Sequence, residues 1–450
     1  MIATPNRRPH APDDRSTPDG ADRVDGSGGS GTPDGSDGSD RRATARRSGG
    51  DRPFGAGPVG AVLTATELEG IAPAADWSRW ERTGAVPRSG DGAGFAANAA
   101  DDLAQLRGLG LDEVAMTLEW ARLEPRDGHW DEAAAEAVDE QLRTARAAGL
   151  RVWACLVDGT LPGWFADDLG GFGDDRARGL RWPRHVDTVG ERFGDRVDGW
   201  IPQRESAHWA LRRLAGPAGR PETVPAAEGA TAVRDALLAD GEAWRLLRGT
   251  RPVATMVTVR PVVGDGGDVK AARRARFVTG LLTDTWVGAL ERGVVAAPGT
   301  AELETPHLRD AFDRVVAMMR PPIRVDAGGR WRPEPAERPV APTGLLTHPE
   351  MELDALHEVL GRVTRPSVAA ADLASVIDDG RNRPDQLRTL LDGAADLAST
   401  TSLEGWWQAS PIDGYAWEWG FRVRPGVIDR SRTPSAAAAE LSRTARGDAG

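Results

Sequence analysis

From Phe54 onward, short apolar runs alternate with longer stretches in which apolar residues recur every three or four positions. The runs at 54–64, 113–118, 151–157, 197–202, 252–257, 315–318, 366–370 and 405–410 have the length and bounding turn residues of strands. The stretches between them have helical spacing. Over 131–148, for example, Ala137, Val138, Leu142 and Ala145 are read as one face, and Gly149 supplies a helix stop. Strand and helix in alternation predict a parallel sheet with crossover helices, and eight repeats predict a single (β/α)8 TIM barrel with enlarged loops. The Pro- and Arg-rich stretch 320–350 reads as a long loop before the seventh strand, and 434–445 as the final helix. No internal duplication or second domain interrupts the rhythm, so 53–450 is expected to be one barrel domain.

Residues 1–52 follow no such pattern. They are rich in Gly, Ser, Asp, Pro and Arg, with nine Arg against nine Asp. A segment with so little to bury cannot offset the entropy of ordering its backbone, so a disordered tail is expected.

The formal net charge of −12 therefore resides in the barrel. An acidic body argues against a nucleic-acid partner, which requires a basic face. No apolar run approaches the length of a membrane span or of a signal-peptide core, so no membrane association and a cytoplasmic location are expected. Cys155 is the only cysteine, and its setting VWACLV is that of a buried core residue. The seven His are scattered without metal-ligand spacing, so neither a metal nor another cofactor is expected.

Specific strings carry more. Residues 196–209 read RVDGWIPQRESAHW, and 101–125 read DDLAQLRGLGLDEVAMTLEWARLEP. Leu156-Val157-Asp158-Gly159-Thr160-Leu161-Pro162 follows, and late in the chain come the stretch 405–429 and Arg432-Thr433-Pro434-Ser435. In order and spacing these resemble the fourth-, second-, third- and eighth-strand signatures of glycoside hydrolase family 1, the β-glucosidase-like barrels. The resemblance covers residues 54–445. It implies a retaining glycosidase ancestry, with glycoside hydrolysis or carbohydrate recognition as the activity.

Retaining glycosidases need two carboxyl groups about 5–5.5 Å apart, one as nucleophile and one as acid/base. In the family frame Trp200-Ile201-Pro202-Gln203-Arg204-Glu205-Ser206 places Glu205 at the acid/base position and Arg204 where the family has Asn. The seventh-strand string Pro366-Ser367-Val368-Ala369-Ala370-Ala371-Asp372-Leu373 places Ala371 at the nucleophile position. Asp372 would need a bulge or a shifted register to reach the sugar. By the same frame Glu67 stands for a sugar-binding Gln, Ala115 for an Arg, Asp158 for a His, Met318 for an Asn and Met319 for a Tyr. Ala409 and Ala416 replace a Trp and a Glu, and Trp417 keeps a Trp. Trp406 and Trp407, inside the eighth strand, are read as packing residues.

Glu67, Asp158, Arg204 and Trp417 are thus the expected ligand-binding residues, with Glu205 at the acid/base position. An Arg beside Glu205 would favour its ionised form and make it a poor general acid. Two readings follow. In the first, the barrel is a pseudoenzyme that no longer runs double displacement and binds a small molecule, either a glycoside or an anionic compound contacting Arg204. In the second, it remains a glycosidase that uses Glu205 with Asp372, Glu67 or Asp158 as the second carboxylate.

Overall fold

A computed structural model describes residues 52–447, apart from 218, 220–223, 310, 333–340 and 379 and the side chains of 332 and 382. The tail expected at 1–52 lies, up to residue 51, outside the described residues. Eight strands, β1 (Val59–Leu63), β2 (Glu113–Thr117), β3 (Arg151–Val157), β4 (Gly199–Gln203), β5 (Ala254–Val259), β6 (Arg314–Met319), β7 (Ser367–Ala371) and β8 (Leu403–Ala409), form one sheet. Its order is β4-β3-β2-β1-β8-β7-β6-β5, with every neighbouring pair parallel. A parallel bridge between Trp200 and Val253, with the Trp200 amide donating to the Pro252 carbonyl at 2.9 Å, joins the outermost strands and closes the barrel. The expected (β/α)8 barrel is present, with strand bounds shifted by a few residues.

The two faces of each strand serve different layers. Val62, Ala115, Trp153, Cys155, Met318 and Trp407 pack in the barrel interior, while Ala61, Val114, Val152 and Trp406 join the larger core between strands and helices. Trp406 and Trp407 are fully buried, as packing residues should be. Interior space for two indoles comes from glycines. A Cβ on Gly199 would lie 2.3 Å from the Trp153 ring, and one on Gly60 would lie 2.7 Å from Trp407.

At the N-terminal end of the strands, Glu113 closes the barrel floor. Its carboxylate accepts from the indole N–H of Trp407 at 2.8 Å and of Trp153 at 3.2 Å, and it pairs with Arg314 at 2.8 Å and Arg151 at 3.1 Å. A carboxylate with no solvent exposure is tolerated only with this degree of pairing.

Helix α1 (Glu132–Ala147) begins where Asp131 accepts from the Ala134 amide and ends before Gly149, whose φ of 83° only glycine adopts freely. Its buried stripe is Ala135, Leu142 and Ala145, with Val138 half-buried. Ala137 is exposed, which corrects the expected face: a stripe at three- and four-residue spacing through Val138 and Leu142 passes through 135. Helices α2 (Ser206–Ala215) and α3 (Ala226–Leu247) follow β4, α4 (Pro349–Arg362) precedes β7, and α5 (Ala436–Arg446) ends the barrel. The stretch 320–350 is also corrected. Ile323–Val325 and Trp331–Arg332 pair into a small sheet with Val262–Gly264, because alternate residues Ile323 and Val325 are buried there. Among the described residues, no helix is long and apolar enough to cross a membrane.

Candidate active site at the barrel mouth

The site lies at the C-terminal ends of the strands, the face on which barrel enzymes place their chemistry. Directly after β4 the backbone turns sharply. Glu205 has φ 44° and ψ 53°, a left-handed conformation uncommon outside glycine and often found where function fixes the chain. The turn lets both Arg204 and Glu205 serve the mouth.

Arg320, the first residue past β6, reaches across β5 to Glu205. Its Nε donates to Glu205 Oε1 at 3.1 Å, and its Nη2 donates to Oε2. Thr258 on β5 adds a hydroxyl donor to Oε1 at 2.9 Å. The other side of the same guanidinium, Nη1, donates to Asp372 Oδ2 at 3.3 Å. One arginine thus holds two carboxylates from different strands. Burial alone would raise the pKa of Glu205, but Arg320, with His208 and Arg204, prevails and brings it down to about 2.

A second cluster adjoins the first. Arg204 Nη1 donates to the Thr64 hydroxyl at 2.6 Å and to both oxygens of Asp158 at 3.3 Å. It lies 3.9 Å from Glu67 Oε1, while Arg204 Nε lies 3.8 Å from Glu205 Oε2. Asp158 also accepts from Thr117 at 3.1 Å. Glu67 accepts from Ser410, just past β8, at 2.6 Å. Burial pushes its pKa up to about 7, against the opposing pull of Arg204 and the Ser410 hydroxyl. His208 is driven down to about 3, by burial first and by the surrounding arginines, so its imidazole is neutral.

Of these groups, Glu67, Arg204, His208, Arg320, Asp372 and Ser410 line a cavity of about 180 Å³, whose wall also includes Trp209, Trp417 and Trp419; Glu205 and Asp158 lie behind it. Trp417 is fixed edge-on against Trp77, with ring centroids 3.6 Å apart, and lies 5.6 Å from Trp209. Among the described residues, no group of three or more His, Cys, Asp or Glu is placed to hold a metal ion.

Glu67, Asp158, Arg204 and Glu205 therefore come together, and Trp417 stands in the wall. Ala371 does not join them. It packs with Ala369 in the layer between strands and helices, whereas Val368 and Ala370 face the barrel interior. Alternation then returns the next residue, Asp372, to the inner side, and Asp372 lines the cavity. The register of β7 against β8 shifts between Ser367 and Val368, at the start of the strand, and runs regularly from Val368 to Ala371. β6 behaves likewise. Met318 packs inside the barrel, Met319 joins the outer layer, and Arg320 contacts Asp372. The sequence does carry a signal for Arg320: it is the lone charge ending an apolar strand, in Val-Val-Ala-Met-Met-Arg-Pro-Pro, as Asp158 and Asp372 end theirs.

Comparison with solved structures places this geometry in a known architecture. The β-glycosidase from Pyrococcus horikoshii superposes with a TM-score of 0.76 at 19% identity, covering 87% of this chain and 94% of that one. The chain has the fold of the family 1 β-glycosidases. The family 1 β-glucosidase from Thermotoga maritima gives 0.75 at 18% identity, covering 88% and 98%, and the β-glucosidase from Exiguobacterium marinum gives 0.74 at 16%, covering 87% and 99%. No family model and no curated protein matches the chain. At such identities the likeness is one of fold, and activity must be argued from the site.

Proposed function

We propose that this chain is a glycoside hydrolase family 1-like barrel that does not run the double-displacement mechanism and instead binds a small molecule at its mouth. The observation that carries this reading is the Arg320 guanidinium engaged with both Glu205 and Asp372. Double displacement needs a protonated acid on one side of the anomeric carbon and a free carboxylate on the other. Here a fixed cation contacts both carboxylates. Glu205 is ionised, has no solvent-exposed side-chain surface and cannot donate a proton near neutral pH.

A second reading rests on Glu67. Its pKa near 7 and its place in the cavity wall give it the character of a general acid, and Asp372 in the same wall could serve as the second carboxylate. Hydrolysis of a panel of activated aryl β-glycosides by the wild type, Glu205→Gln and Glu67→Gln tests both readings. The binding reading expects no turnover in any of them. Turnover lost in Glu67→Gln would establish the second reading, and turnover lost in Glu205→Gln would establish a glycosidase of the ancestral kind.

A further inference from the structure

The unmet hydrogen-bonding groups of the cavity wall say what kind of molecule it takes. Arg204 and Trp209, 2% and 8% exposed, both line the cavity. Arg204 Nε and the Trp209 indole N–H each lack a hydrogen-bond partner among the described residues. Both atoms can only donate. An unpaired buried donor is costly, so two of them in one wall mark a place for acceptor atoms.

The carboxylates of the wall are, by contrast, largely taken. Asp372 accepts from Arg320 through Oδ2 and from the Ala374 amide through Oδ1. Glu418 pairs with Arg212. Glu67 accepts from Ser410 through Oε2, which leaves Oε1 without a hydrogen bond among the described residues. Each hydroxyl of a neutral sugar would bring a proton that itself needs an acceptor, and these carboxylates have few to give. A head group made of acceptors alone fits better. A carboxylate is the simplest such group, and its bond to an arginine is charge-assisted.

Charge sets the condition for entry. In the lining, Arg204, Arg212 and Arg320 balance Glu67, Asp372 and Glu418, while Asp158 and Glu205 behind it are held by Arg204 and Arg320. An added anion is therefore accommodated best when one lining carboxylate gives up its charge. Glu67 is poised to do so: burial raises its pKa to about 7, with Asp158 and Asp372 adding to the rise and Arg204 and the Ser410 hydroxyl opposing it. His208, with a pKa of about 3, stays neutral. An anion beside Glu67 raises its pKa further. Protonated at Oε1, Glu67 becomes a third donor to the same cavity.

The indoles of Trp209, Trp417 and Trp419 supply the apolar part of the wall. A cavity of about 150 Å³ holds a benzene ring, so the 180 Å³ here admits a one-ring molecule.

We infer that the mouth of this barrel binds a small carboxylic acid as its anion, the carboxylate accepting from Arg204 Nε and the Trp209 indole, with one proton taken from solvent onto Glu67. This rests on the binding reading above and names its ligand class.

Calorimetric titration of the intact protein with benzoate, benzyl alcohol and benzylammonium separates charge from shape. At pH 6 benzoate should bind at least tenfold more tightly than either of the others. At pH 8 it should bind at least fivefold more weakly than at pH 6, although benzoate itself is ionised at both. Glu67→Gln should reduce that pH effect to less than twofold. Trp209→Phe, which keeps a ring but loses the N–H, should weaken benzoate at least threefold. Benzyl alcohol or benzylammonium binding as tightly as benzoate, binding of none, or a benzoate affinity independent of pH would overturn the inference. The wild-type comparison decides this even if a variant fails to fold. Glycoside turnover is measured separately, so hydrolysis defeats the preceding reading, while loss of the benzoate preference in a non-hydrolysing barrel defeats this one alone.

Discussion

Arg320 and Glu205 sit two strands apart around the barrel, and the guanidinium of one holds both carboxylate oxygens of the other. The same guanidinium also reaches Asp372, so one side chain holds Glu205 ionised and ties the ends of β4, β6 and β7 together.

Replacing Arg320 should therefore disturb both stability and titration. Arg320→Ala leaves the buried Glu205 facing only Thr258, His208 and the more distant Arg204. Removing one partner of a buried pair costs about 3–5 kcal/mol. Denaturant unfolding should show a loss of that size, and carboxyl infrared titration should show the Glu205 pKa rising from about 2 into or above the ordinary range. Unchanged titration would mean that the pair does not set the charge.

The acid limb of stability should depend on Glu205. Its folded pKa of about 2 lies below the ordinary 4.5, so its contribution is fully present above about 4.5 and disappears as pH falls toward 2. Thermal unfolding between pH 5 and 2 should be less steep with pH in Glu205→Gln than in the wild type.

Glu67 should act with the opposite sign. Its folded pKa of about 7 exceeds 4.5, so its contribution is fully present below about 4.5 and is lost as pH rises through 7. Glu352, raised to about 7, and Asp240, raised to about 8, both by burial, add slopes of the same sign. The comparison to make is the wild type against Glu67→Gln from pH 5 to 8, where the variant should retain more of its stability at the upper end.

The floor of the barrel makes an independent prediction. Glu113→Ala strands Arg314, whose side chain is 13% exposed, together with the indole N–H groups of Trp153 and Trp407. A destabilisation of about 3–5 kcal/mol is expected. Glu113→Gln should cost less because it keeps an acceptor. Ligand binding at the opposite end should survive in any fraction that folds.

The barrel is legible in the sequence because each strand is an apolar run closed by a turn and followed by a periodic helix. The cluster of Glu67, Asp158, Arg204 and Glu205 is legible because each falls within a recognisable string. Asp372 and Arg320 are marked only as lone charges ending apolar strands, and which side of the strand they face is not legible, for one physical reason. Strands of a parallel barrel are buried on both faces, so β7 reads Ser-Val-Ala-Ala-Ala and β6 reads Arg-Val-Val-Ala-Met-Met, with no polar alternation to mark the inner side. A one-residue difference in register then exchanges Ala371 for Asp372 at the mouth. Ala137 illustrates the same limit on a helix, where neighbouring alanines do not reveal which of them faces the core.

The most direct test of the central claim is the intact mass of the protein after incubation with 2-deoxy-2-fluoro-β-glycosides carrying an activated leaving group. These compounds trap the glycosyl-enzyme that double displacement must form. The account predicts an unchanged mass at any incubation time. A mass increase equal to one fluoroglycosyl group, mapped to Asp372, would contradict it and restore this barrel to the working glycosidases.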